Sequence, residues 1–141
     1  MSDLSIRLAD RPGEAEREAI VAPLRAFNIE TAGDPRIEPL ALLLEQTDGR
    51  AVGGLWGRFG YDWLFVEYLA VPDTHRRGGW GRRLMERAEE MARQRHCAGI
   101  WLDTYEFQAR GFYEKLGFEL FGQLADFPPG HRRFFLQKKL A

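Results

Sequence analysis

The chain has 141 residues, 45% of them hydrophobic and 13% aromatic, which suits one real core and excludes a disordered segment. Its formal net charge of -1 excludes a whole-protein electrostatic pull on nucleic acid or an anionic membrane. A lone cysteine, Cys97, and three scattered histidines, His75, His96 and His131, leave no internal disulfide and no metal-ligand spacing; with neither a signal-peptide pattern nor a membrane-length apolar run, residues 1–141 read as a single cytoplasmic domain.

"SIRLA" (5–9) alternates as a short first strand. "RPGEAEREAIVAPLRAFNIET" reads as helix, with Ile20, Val21, Leu24 and Phe27 on one face and acidic residues in the first turn. Gly33 and Pro35 break it. Three strands follow closely: 39–46, 51–60 after a hairpin signal at Asp48-Gly49, and 63–71 after a turn at Tyr61-Asp62. The run "WLFVEYLAV" (63–71) is almost continuously apolar, as in a strand covered on both faces.

From Gly79 to Arg95 the period becomes helical, with Trp80, Leu84, Ala88, Met91 and Ala92 in one stripe. "AGIWLDTY" (98–105) is a strand and "FQARGFYEKLGF" (107–118) a short helix ending at Gly117. Strands at 119–127 and 132–140 flank a "PPGH" turn. Residues 63–104 thus form strand, crossover helix and strand, a right-handed parallel unit.

The turn "HRRGGWGRRL" (75–84) sits at the C-terminal end of that unit's first strand, where open α/β sheets bind ligands. Unpaired amides at the helix start, the helix dipole and the adaptable glycines can hold a phosphate or pyrophosphate. Arg76 and Arg77 add charge suited to phosphate. No Lys-Ser/Thr follows the glycines, so this is not a P-loop, and Leu84 replaces the third glycine of a dinucleotide fingerprint. Arginine alternating with glutamate along the helix weakens a nucleic-acid stripe.

Arg76-Arg77-Gly78-Gly79-Trp80-Gly81 fits R-x-x-G-x-G and resembles the acetyl-CoA signature of the GNAT superfamily of N-acetyltransferases. Farther on, Ala109, Phe112, Tyr113, Gly117 and Phe118 are similar to its second signature, A-x-x-F-Y-x-x-x-G-F. Glu106 stands where family members often carry asparagine. The resemblance implies a GNAT fold of the α/β (α+β) class: a mixed, mostly antiparallel sheet of about six to seven strands, flanked by about four helices. It also implies a splayed parallel pair holding acetyl-CoA. Pantetheine would pair with the backbone of Leu69, Ala70 and Val71. The pyrophosphate would rest on Arg77, Gly78, Gly79, Trp80, Gly81 and Arg82, with Arg76 beside it and Phe112 and Tyr113 against the cofactor.

The implied reaction is direct attack of a primary amine, on a small molecule or peptide, on the thioester. Neutralising a lysine-like amine at pH 7 costs about 4–5 kcal/mol, which a general base reduces. Glu67, the one charge in its strand, is a candidate base that would be partly desolvated; strand alternation puts it on the face of Leu69. The competing reading is an ion pair with Arg58. His131 is a second candidate base, or a surface turn residue. Tyr113 occupies the position of the family's general acid, and a backbone amide near Leu69 and Ala70 that of its oxyanion donor. Arg110 and Lys115 reach a CoA phosphate or solvent. Lys138 and Lys139 read as solvated charges on an edge strand, and Cys97 as a small buried residue. Transfer of a longer acyl group, a non-amine acceptor, or a weakly catalytic CoA-binding sensor remain alternatives. No metal is implied. A homodimer is a candidate assembly because relatives dimerise; no residues mark an interface.

Overall fold

The computed structural model describes residues 3–140. They form two compact units that divide between Pro35 and Arg36. The first contains α1 (Glu14–Ala32). The Glu16 carboxylate accepts the Gly13 N–H at 2.8 Å, satisfying an amide that a helix start leaves open. The N–H of Gly33 returns to the Ile29 carbonyl and closes the other end. Residues 5–9 form no strand, contrary to their alternation. Alternation defines a face, but a strand also needs a neighbour for its backbone groups, and no described strand pairs with these.

The second unit is a six-stranded sheet: β1 (Glu38–Glu45), β2 (Ala51–Gly60), β3 (Trp63–Ala70), β4 (Gly99–Tyr105), β5 (Glu119–Ala125) and β6 (Arg132–Lys139). Its spatial order is β1-β2-β3-β4-β6-β5. Only β3 and β4 pair in parallel; the other pairs are antiparallel. Tyr61 and Asp62 both take positive φ, 47° and 60°, as a two-residue hairpin that follows strand twist requires. Between β3 and β4 lies α2 (Trp80–Gln94), and α3 (Arg110–Lys115) follows β4. With α1, these make three α-helices among the described residues, against about four expected for such a fold.

The core lies between one sheet face and α2. Leu84, Met85, Ala88 and Ala92 of α2 are buried, and the alanines let the helix approach closely. The sheet contributes Leu64, Ile100, Leu102 and Leu136, all fully buried, each stabilising the fold by about 1.5–3 kcal/mol. On the opposite face Phe65 stacks on Trp101 at 4.2 Å. Both are half-buried, so β3 is not covered equally on its two faces. Its apolar run reflects a core on one side and this aromatic pair on the other.

Lys138 departs from the sequence expectation. β5 folds back outside β6, so β6 is an interior strand. Its Lys138 ammonium donates to Glu89 of α2 at 2.6 Å and to the Leu116 carbonyl at 2.8 Å. Burial raises the Glu89 carboxyl, but hydrogen bonds and charges from Lys138 and Arg93 outweigh it and leave the pKa below the ordinary carboxylate value.

Candidate active site

After β3 the chain makes a short 3-10 turn, Asp73–His75, and enters α2 through Gly79. Gly79 holds φ 77°, ψ 12°, a left-handed conformation that glycine adopts without steric cost. The helical ladder starts with Arg83 N–H to the Gly79 carbonyl at 3.0 Å. The N–H groups of Trp80, Gly81 and Arg82 precede that bond and project from the positive end of the helix. A Cβ on Gly81 would stand 3.3 Å from the Phe112 ring, so this glycine sets how closely the start of α2 approaches α3. Arg76 pairs with Asp73 at 2.9 Å and Arg82 with Glu86 at 2.6 Å; all four side chains are exposed.

The parallel pairing of β3 and β4 runs from Trp63–Gly99 to Val66–Leu102 and stops. Beyond it, Leu69 and Ala70 still pair with Leu55 and Gly54 of β2, while their edge toward β4 carries no ladder. In the β2–β3 register Gly57 faces Val66 and Trp56 faces Tyr68, so Glu67 is an extra, unpaired residue: a β-bulge. The bulge alters the expected alternation. Leu69 returns to the core face opposite buried Leu55, and Glu67, outside the ladder, lines the cavity at the splay. Glu67 is exposed, so the desolvation expected of it does not occur. Arg58 does not pair with it; the guanidinium lies over the Phe65 ring at 5.2 Å.

The gap between the strands opens into a cavity of about 830 Å³. It runs from Arg76, Arg77, Gly79, Trp80, Gly81 and Arg82 past Leu69, Ala70 and Val71 to Phe112 and Tyr113. Of the predicted cofactor residues, Gly78 alone is not part of its wall. Glu67, Tyr68, Asp103 and Phe107 line the same space. The cavity therefore reaches both sheet faces through the splay.

Tyr113 packs edge-on against Phe112 at 5.1 Å and Phe118 at 6.1 Å. Burial, helped by the negative charge of Asp103, pushes its hydroxyl pKa up to about 12. Tyr113 thus keeps its proton throughout the neutral range.

The model of the acetyltransferase (GNAT) family matches residues 8–118. The chain belongs to the GNAT acetyltransferase family. It is an acyl-transferring enzyme. It is 36% identical over 126 residues to Acetyltransferase Atu2258 of Agrobacterium fabrum, covering 89% of this chain and 91% of that one. It is 41% identical over 93 residues to the Blasticidin-S acetyltransferase of Streptomyces morookaense, covering 65% and 68%. A crystal structure of an acetyltransferase from Agrobacterium tumefaciens superposes with a TM-score of 0.91 at 32% identity, over 97% of this chain and all of that one.

Other predicted residues of this GNAT acetyltransferase lie apart from the cavity. His131 is not in its wall; Nδ1 sits 3.4 Å from Glu106, and both side chains are about half exposed. Arg110 covers the Phe134 ring at 4.6 Å and pairs with Glu114 at 3.5 Å. Lys115 also lies outside the cavity wall. Cys97 is buried just before β4, and burial raises its thiol pKa, which suits packing rather than nucleophilic attack. Asp103 and Phe107 are wall residues that sequence reasoning missed. The one available signal was Asp103, an isolated carboxylate in the apolar strand "GIWLDTY". Among the described residues no group of three or more His, Cys, Asp or Glu is placed to hold a metal. No described helix is long and apolar enough to cross a membrane.

Proposed function

We propose that this acetyltransferase uses acetyl-CoA to acetylate a primary amine by direct attack. The observation that carries this reading is the continuous cavity from the amides at the start of α2, along the unpaired edge of β3, to Tyr113. Its parts match an extended ligand with an anionic end and an amide-bearing arm. The amides from Arg77 to Arg82 would hold the pyrophosphate, with Arg76 adding charge. The backbone of Leu69, Ala70 and Val71 would pair with the pantetheine arm. Acetyl-CoA supplies the acyl group as an activated thioester.

The chain supplies proton management and polarity. Glu67 is open to the cavity at the bulge and would accept the proton of the incoming ammonium, directly or through water. Tyr113 holds a proton on Oη that can pass to the departing thiolate. A backbone N–H near Leu69 and Ala70 would stabilise negative charge on the carbonyl oxygen.

Calorimetric titration with acetyl-CoA tests the cofactor. A screen of primary amines for thiol release, with mass spectrometry of the product, tests the reaction. Blasticidin S is a reasonable first acceptor because of the named relative. The reading predicts saturable acetyl-CoA binding and an amine-dependent product heavier by one acetyl group. Absence of acetyl-CoA binding, or thiol release without an N-acetyl product, would refute it.

A further inference from the structure

The far wall of the cavity has chemistry that the transfer step does not use. Phe107 lines it and is 59% exposed, although it belongs to a tightly arranged ring cluster. Its ring lies parallel to Tyr105, with centroids 5.3 Å apart and planes 1° apart. His131 meets it edge-on at 5.3 Å. Phe127 leans on Tyr105 from the β5–β6 turn at 5.9 Å. Beneath them Arg133 lies over the Phe127 ring at 4.7 Å and the Tyr105 ring at 5.4 Å. Arg133 is itself held by Asp103 at 2.8 Å. Solvated phenylalanines elsewhere on a surface need no explanation. This one is oriented by neighbours and borders a reaction cavity.

Tyr105 pairs with Arg133, and Asp103 with Phe135, on the sheet face opposite the α2 core. Glu67, exposed at the bulge, lines the same cavity as Phe107. The phosphate-holding turn and Tyr113 approach the splay from the α2 side. A ligand entering from the far face would thus meet Phe107 and Glu67 before it reached the thioester.

Resting on the acetylation reading above, we propose that Phe107 is a shelf for the acceptor, selecting primary amines that carry a planar aromatic or heteroaromatic ring. The ring stacks on Phe107 while the cationic amine is drawn toward Glu67. Offset stacking rewards a flat π-system over a saturated ring of similar size, and Glu67, which forms no ion pair among the described residues, supplies charge complementarity.

The test compares 2-phenylethylamine with 2-cyclohexylethylamine on the full chain and on Phe107→Leu, which retains apolar bulk. The wild type should favour the phenyl compound in kcat/KM by about 3- to 10-fold, and Phe107→Leu should bring the ratio close to 1. Calorimetry of each amine with CoA-saturated protein reads the shelf without turnover and should give the same preference in Kd. No preference in the wild type overturns the proposal, as does a preference unchanged in Phe107→Leu. A matching loss of acetyl-CoA affinity in Phe107→Leu also overturns it, because Phe107 would then serve the cofactor. A Phe107-dependent binding preference without acetylation of either amine would sustain the shelf and sink the transfer reaction.

Discussion

Replacing Tyr113 with phenylalanine isolates one proton. Desolvation and the Asp103 charge raise the hydroxyl from 10.0 to about 12. At pH 8 the ionised fraction falls from about 1 in 100 to about 1 in 10,000, so the group is an acid and not a base. General acids contribute about 10²–10⁴-fold. A thiolate is a fair leaving group, with a free thiol pKa near ~8.5, so the lower end of that range, about 100-fold, is expected for Tyr113→Phe. Stopped-flow thiol release from protein preloaded with acetyl-CoA reads this step, while calorimetry checks the acetyl-CoA Kd. Removal of the hydroxyl retains the ring contacts with Phe112 and Phe118, so stability should change by less than about 0.5 kcal/mol at pH 7. The raised pKa also fixes a sign. The neutral form is favoured in the fold, so this contribution is complete below pH 10 and is lost as pH rises through about 12. Tyr113→Phe should lack that alkaline loss. An unchanged single-turnover rate, or a defect found only in acetyl-CoA affinity, would refute the acid role.

Two further substitutions address the fold. Lys138→Met removes the partner of Glu89 and a donor to the Leu116 carbonyl. Arg93 still serves Glu89 at 3.1 Å, so the cost should be about 1–3 kcal/mol, below that of a fully buried pair. Thermal melts at pH 7 should fall by several degrees, roughly 2–4 °C per kcal/mol. Because the Glu89 pKa is depressed, its contribution is present above pH 4.5 and lost as pH falls through the lower folded value. The gap between wild type and variant should therefore narrow in acid, and equal melts at pH 7 would remove the pair as a stabilising contact. Gly54→Ala places a Cβ 2.0 Å from the Leu42 carbonyl oxygen at φ 145°. Since both clashing groups are tied to backbone, β1 must part from β2, and a loss of about 3–5 kcal/mol in urea unfolding is expected. A near-neutral Gly54→Ala would contradict that close packing.

Local chemistry in the sequence determined most of the elements and the glycine turn into α2. Gly79 must supply a left-handed step before α2, and Leu84, Ala88 and Ala92 repeat at the helical period, so both were legible without a partner strand. Most of the cavity wall was legible for the same reason, because backbone amides at a helix start and along a strand edge follow from local geometry. Pairing between distant segments decided the rest. Glu67 became a bulge because β2 and β3 differ by one residue between two paired positions, a mismatch that neither strand records alone. Lys138 became an interior residue because β5 returned outside β6. Residues 5–9 alternate like a strand yet form none. Phe107 joined the cavity wall only when Tyr105 and His131 came together around it. Periodicity tells a side chain which face it belongs to; only tertiary pairing supplies the neighbour that gives that face its chemistry.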